Sequence, residues 1–299
     1  MALEVKNLVK TYGDYTAVNN LSFSIDKPGV FGLLGTNGAG KTTTIRMILG
    51  MLAKNSGEIL WNGKRFNSSE VSVGYLAEER GIYPKISLFD QLVYFGELRG
   101  LSKKEAIKSI EYWLERLNIT EYKNKAAEKL SKGNQQKAQL IAALVSDPEI
   151  LVLDEPLSGL DPINTDLFKD IINEQIGKGK YIIMSSHQMS TIEQFCTDLL
   201  ILKKGNTILQ GNLKEIKKSY GRTNLMIKCD EDITEIVSKF NIELVEKNIE
   251  YSAYKVKSEK QANEILKELV SKDIQVIKFE LREPTLHEIF IDKVGEDNE

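Results

Sequence analysis

Cysteine is scarce: the chain holds only Cys196 and Cys229 among 299 residues. Their spacing matches no metal-ligand pattern, and two thiols cannot staple a small fold, so inert buried thiols in a reducing compartment are expected. Long hydrophobic runs are missing too. None approaches the ~20 residues a spanning helix needs, so any membrane part is expected in another chain. No basic segment followed by an apolar stretch opens the sequence, and no secretory signal is expected. Charge of one sign is not concentrated enough to suggest a polyanion partner. Residues 1–219 carry 28 basic and 25 acidic side chains, and residues 220–299 carry 12 and 18. With no basic block interleaved with aromatics, nucleic-acid binding is not expected. Hydrophobic content of 41% and charged content of 28% place the chain among globular proteins, long enough for one large or two modest domains.

What is present centres on Gly35, Thr36, Asn37, Gly38, Ala39, Gly40, Lys41 and Thr42. An apolar run, residues 30–34, precedes them, and a helical pattern, residues 43–49, follows. Strand, glycine-rich turn and helix start form the setting of a phosphate loop. Backbone N–H groups can surround phosphates there, and the helix N-terminus adds partial positive charge. Lys41 is expected to reach the β- and γ-phosphates, and the Thr42 hydroxyl to hold Mg²⁺.

Around this loop, residues 3–9 and 18–25 alternate as antiparallel strands, with Tyr12 between them as a candidate base-stacking aromatic. Residues 57–64 read as a hairpin turning at Asn62-Gly63, and residues 71–76 as a strand ending at Glu78, a candidate metal carboxylate. From 88 to 118 apolar residues recur at helical spacing, interrupted at Gly100 and Ser102; this is an inserted helical subdomain with Trp113 in its core. Ser131 is the expected N-cap of a helix running through Leu144, and Gly133 leaves N–H groups open beside it. The apolar strand 150–153 runs straight into Asp154 and Glu155, and strand 181–184 runs into Ser185-Ser186-His187. Apolar strands buried on both faces belong to parallel sheets, whose carboxyl ends bind ligands. With a phosphate loop upstream, Asp154 is expected to hold Mg²⁺ through water and Glu155 to orient or deprotonate a water, the alternative being a buried salt bridge. His187 is a candidate γ-phosphate contact, the alternative being a structural histidine. Residues 199–209 form a hairpin, and 213–222 a lysine-rich helical connector. Beyond it βαββαβ and a last helix, near 285–294, read as a small split-βαβ module with His287 on its surface.

These motifs, in this order, resemble an ABC-transporter ATP-binding subunit over residues 1–215. Residues 35–43 resemble its Walker A loop, adding Thr43 to the nucleotide contacts, and 150–155 its Walker B strand. Ser131 and Gly133 lie in the segment usually written LSGGQ, residues 157–161 match the D-loop, His187 the switch histidine and Tyr12 the adenine-stacking aromatic. Lys132 and Asn134 stand where LSGGQ has a glycine and its glutamine, and Glu78 stands at the Q-loop glutamine. The run Glu78-Glu79-Arg80-Gly81, the LSKGNQQK segment and residues 282–290 resemble the NatA-like drug and sodium exporter branch.

The resemblance implies an α/β P-loop ATPase with a mixed sheet core, an antiparallel β subdomain and a helical insert at about 88–128. A small α+β, ferredoxin-like domain follows at 216–299. It implies ATP and Mg²⁺, with Glu155, His187 and Lys41 catalytic and Thr42, Glu78 and Asp154 on the metal. It also implies a head-to-tail dimer with a second copy, and a membrane-spanning permease docked at residues 78–83 and 88–118 on the cytoplasmic face of the cell membrane. The alternative is a soluble or regulatory ABC ATPase uncoupled from transport. A ribosome-acting relative would carry two phosphate loops, a DNA-repair relative a long coiled coil and a GTPase an Asn-Lys-x-Asp motif; none is present.

Overall fold

Residues 3–25 form two paired arms that turn back at Gly13, φ 57°, with Leu3 and Val5 on one and Leu21, Phe23 and Ile25 on the other buried at alternate positions. The computed structural model describes residues 2–68, 70–79 and 81–296. It divides into two units, Met1–Gly211 and Asn212–Glu299. The first unit runs through β1 (Leu3–Tyr12), β2 (Tyr15–Ile25), β3 (Gly29–Gly35), α1 (Lys41–Ile48), β4 (Ser56–Trp61), β5 (Lys64–Arg65) and β6 (Val73–Leu76). It continues with α2 (Leu88–Leu98), α3 (Lys103–Arg116), α4 (Lys132–Leu144), β7 (Ile150–Asp154), α5 (Pro162–Gly177), β8 (Tyr181–Ser186), α6 (Met189–Phe195), β9 (Cys196–Lys203) and β10 (Asn206–Asn212).

Two sheets result. One is antiparallel in the order β2-β1-β4-β5; the other runs β10-β9-β3-β8-β7-β6. In the second, β9, β3, β8, β7 and β6 are mutually parallel. All five residues of β7 are buried, as expected of a strand covered on both faces. Phe23 stacks on Phe31 with ring centroids 4.7 Å apart, and Trp61 meets Tyr181 edge-on at 5.1 Å, so aromatic pairs tie the two sheets together. Such pairs contribute about 0.5–1.5 kcal/mol each beyond burial.

The helical insert forms where its periodicity and caps call for it. Ser87 caps α2, and Ser102 with Glu105 forms a reciprocal capping box on α3. Leu88, Leu92, Ile110 and Leu114 are fully buried, and Trp113 is buried among them. Two helices, α5 and α6, go beyond the sequence expectations. The first starts on Asp161 as N-cap with Pro162 in its first turn; the second is only seven residues long.

Gly74 sets how closely β6 approaches α4. A Cβ there would lie 2.1 Å from the Ala143 carbonyl oxygen and 2.8 Å from Pro148 Cγ. Gly74→Ala is expected to destabilise the first unit by about 1–3 kcal/mol through overpacking. Thermal unfolding measures this, and an unchanged midpoint would mean that strand and helix separate without cost.

The second unit contains α7 (Leu213–Tyr220), β11 (Asn224–Cys229), α8 (Thr234–Ser238), β12 (Glu243–Lys247), β13 (Ser252–Lys255), α9 (Glu259–Ser271), β14 (Val276–Arg282) and α10 (Leu286–Glu296). Its sheet has the order β12-β13-β11-β14 with every pairing antiparallel, the split-βαβ arrangement. Leu225, Ile227, Ile236, Ile265 and Leu269 form its core. Arg282 donates to both carboxylate oxygens of Glu288 and ties β14 to α10.

Candidate nucleotide site

The phosphate loop leaves β3 at Gly35 and enters α1 at Lys41. Gly35 and Gly40 are required by space as well as by torsion, Gly38 by torsion alone. Gly40 has φ 107°, and a Cβ on it would lie 2.5 Å from the Ala17 carbonyl oxygen. Helix α1 has no side-chain cap and no acidic residue in its first turn, which leaves its N–H groups and partial positive charge open to an anion.

Lys41 is only 6% exposed. Its Nζ donates to the carbonyls of Gly35 at 2.8 Å and Thr36 at 3.3 Å and lies 3.4 Å from Glu155 Oε1. Glu155 follows directly on β7 and is 7% exposed, with a left-handed backbone at φ 52°. Such a conformation costs a non-glycine residue about 1–3 kcal/mol and is retained where surroundings over-determine it. Here its N–H donates to Ser185 Oγ at 3.0 Å, and Glu155 Oε2 lies 2.9 Å from His187 Nδ1. Glu155 Oε1 is buried and makes no hydrogen bond, its near neighbour being the Lys41 ammonium. Ser185 Oγ in turn donates to Asp154 Oδ1 at 2.5 Å.

Asp154 is fully buried, and its Oδ2 has no hydrogen-bond partner. Burial pushes its pKa up; the hydroxyls of Ser185 and Thr42 oppose that, the Glu155 charge adds to it, and the Lys41 charge opposes it. An orphaned buried oxygen next to a threonine hydroxyl fits a magnesium ion. Among the described residues no group of three or more His, Cys, Asp or Glu could hold a metal alone. Phosphate oxygens and water would have to complete the shell, as is usual for Mg²⁺.

A cavity of about 520 Å³ lies over the loop, lined by Tyr12, Tyr15, Asn37, Gly38, Ala39, Gly40, Lys41, Thr42, Thr43, Glu78 and Glu155, with Ala17 behind. Gly35 and Thr36 act through the carbonyls that hold Lys41. Asp154 and His187 join through Ser185 and Glu155. Tyr12 ends β1 instead of sitting in a loop, because the β1–β2 pairing continues to Tyr12↔Tyr15. Sequence reasoning missed Tyr15, whose hydroxyl donates to the Gly38 carbonyl at 3.4 Å, and Ser185. Alternation along β2 and the strand-end position of Ser185 were the available signals. A larger cavity, about 690 Å³, at the far end of α1 shares no residue with this one.

Ser131 and Gly133 do not line the nucleotide cavity. Ser131 caps α4, its Oγ accepting from Asn134 N at 3.3 Å. Gln136, one turn on, donates to the Pro156 carbonyl at 2.8 Å and ties α4 to the end of β7.

Residues 18–158 match the family described as ABC transporter, and residues 211–294 match "ATP-binding protein DrrA1-3-like, C-terminal domain". A Bacillus subtilis (strain 168) protein described as "Uncharacterized ABC transporter ATP-binding protein YhaQ" is 47% identical over 294 residues, covering 98% of each chain. The chain belongs to the family of ABC transporter ATP-binding proteins. This ABC subunit is also 30% identical over 307 residues to the "Linearmycin resistance ATP-binding protein LnrL" of the same organism, again over 98% of each chain. A solved "Structure of ATP binding subunit of ABC transporter" superposes with a TM-score of 0.68 at 30% identity, covering 74% of this chain and 94% of the other. The ABC domain binds ATP, and members of the family generally hydrolyse it. No helix among the described residues of this subunit is long and apolar enough to cross a membrane.

Proposed function

We propose that this ABC subunit hydrolyses ATP to drive a separate membrane-spanning permease, with export as the direction. The observation that carries the reading is Glu155, buried between Lys41 and His187 at the wall of the phosphate cavity with one oxygen unbonded. Once Lys41 turns to the phosphates, Glu155 Oε1 takes a proton from a water as that water's oxygen attacks the γ-phosphorus. The bond to the β-phosphate oxygen breaks, and ADP and inorganic phosphate leave. Lys41 exchanges its loop carbonyls and Glu155 for the β- and γ-phosphate oxygens, and His187 steadies Glu155 and meets the γ-phosphate. Tyr12 stacks on the adenine. Thr42, Asp154 and Glu78 are the side chains that would hold Mg²⁺, which neutralises charge building on the phosphates when bound.

Ser131 and Gly133 do not line the cavity and lie elsewhere on the chain. Two copies arranged head to tail would place Ser131 and Gly133 of the partner subunit over each γ-phosphate, making ATP part of the interface. With Glu155→Gln slowing turnover, MgATP is expected to convert monomer to dimer in light scattering, and adding Ser131→Arg is expected to weaken that by tenfold or more. Undiminished dimerisation by the Arg variant would remove Ser131 from the interface.

Export is supported by the DrrA1-3-like C-terminal match and by the resistance named for LnrL. Docking at 78–83 and the helical insert is supported by the exposed Tyr83, Ile86 and Tyr94, with Tyr83 packed on Phe95; Arg80 lies outside the described residues. Docking there would hold the subunit peripherally on the cytoplasmic face of the membrane. Crosslinks to the co-purifying membrane chain are expected within 78–118, and crosslinks confined to 220–299 would refute that surface. ATP turnover indifferent to that chain would favour the regulatory, uncoupled reading.

A further inference from the structure

Two charged side chains stand where they are disfavoured within their own chain. Glu78 is exposed and lines the cavity that would receive a polyanionic triphosphate, together with Glu155. Lys41 is already engaged by Glu155, and Arg46 approaches the neighbouring Glu79 at 4.0 Å, not Glu78. Lys132 is exposed at the first position of α4, the positive end of that helix dipole, with no acidic residue in the first turn to offset it. Neither Glu78 nor Lys132 has a hydrogen bond or ion pair with another described residue.

We infer that Glu78 of one copy and Lys132 of the other form an ion pair across the ATP-closed dimer, one Glu78 carboxylate oxygen remaining for Mg²⁺ and the other meeting the ammonium when the second copy arrives. This rests on the head-to-tail reading above. Lys132 is flanked by Ser131 and Gly133, the residues that would cover the γ-phosphate, and Glu78 lines the cavity they would cover. The pair makes closure selective for a second copy of this chain. A surface that supplied a neutral residue at the place of Lys132 would leave Glu78 facing the triphosphate unpaired, and like charges juxtaposed at an interface are strongly disfavoured.

Charge reversal tests the pair in trans. In a Glu155→Gln parent with MgATP, Glu78→Lys and Lys132→Glu are each expected to weaken dimerisation on the order of a hundredfold, because each homodimer then faces like with like. An equimolar mixture of the two is expected to dimerise at least tenfold more tightly than either variant alone. In the mixed dimer one site pairs Lys with Glu and the other keeps the native pair. Glu78→Gln with Lys132→Gln is expected to be no weaker than the weaker single neutralisation. Both side chains are exposed, so the variants are expected to unfold at the parental temperature. Dimerisation unaffected by either reversal, or a mixture that stays monomeric while the parent dimerises, would overturn the pair; the second result would assign Glu78 to the metal alone. A parent that stays monomeric in MgATP would instead overturn the dimer itself.

Discussion

Glu155→Gln is expected to slow ATP turnover by ~10²–10⁴-fold, the range over which a positioned general base contributes, while nucleotide affinity stays close to that of the parent. The amide is nearly isosteric, so the contact with His187 and the backbone bond to Ser185 Oγ can persist. What disappears is basicity at Oε1, the oxygen left without a hydrogen bond at the cavity wall. Binding is expected to be spared because Lys41, which faces that oxygen at 3.4 Å, is proposed to turn to the phosphates when ATP binds. Steady-state phosphate release alongside a fluorescent-nucleotide titration separates the two effects. Turnover within tenfold of the parent, measured with the membrane partner present, would remove Glu155 from the role. Joint loss of affinity and turnover would instead make it a structural support of the loop.

Lys41→Ala is expected to lower ATP affinity on the order of a hundredfold, since charge-assisted hydrogen bonds to the phosphates are lost. A second effect needs no nucleotide. The ammonium holds the Gly35 and Thr36 carbonyls and faces a buried carboxylate, and removing it leaves Glu155 without its cation. Breaking such a buried pair typically costs about 3–5 kcal/mol. Thermal unfolding without ligand should therefore fall as well, and Glu155→Gln placed on top of Lys41→Ala should recover much of that loss. Arginine is expected to be a poor substitute, because its planar fork does not fit between two loop carbonyls as a compact ammonium does. An alanine variant that binds ATP like the parent would show that the loop N–H groups suffice on their own.

Much of the architecture was legible because its signals are local. Asn62 and Gly63, both with positive φ, make the hairpin turn that the dipeptide implies. Ser102 and Glu105 cap α3, and the apolar residues of β7 lie buried in a parallel sheet. The helix α5 was equally local, with Asp161 and Pro162 at its start. The resemblance of residues 157–161 to a D-loop masks that signal, because the same aspartate serves as motif residue and as N-cap.

Sequence alone determined that a phosphate loop stands between a strand and a helix, that carboxylates end a buried strand, and that a split-βαβ unit follows. These follow from torsions and periodicities that neighbouring residues impose on one another. Only the tertiary structure decided that β7 and β8 lie side by side with Asp154 opposite Ser185. That register brings His187 onto Glu155, threads Ser185 between the two carboxylate residues, and sets Ser131 apart from the cavity. Residues some thirty positions apart meet through strand order, which depends on how the whole core packs.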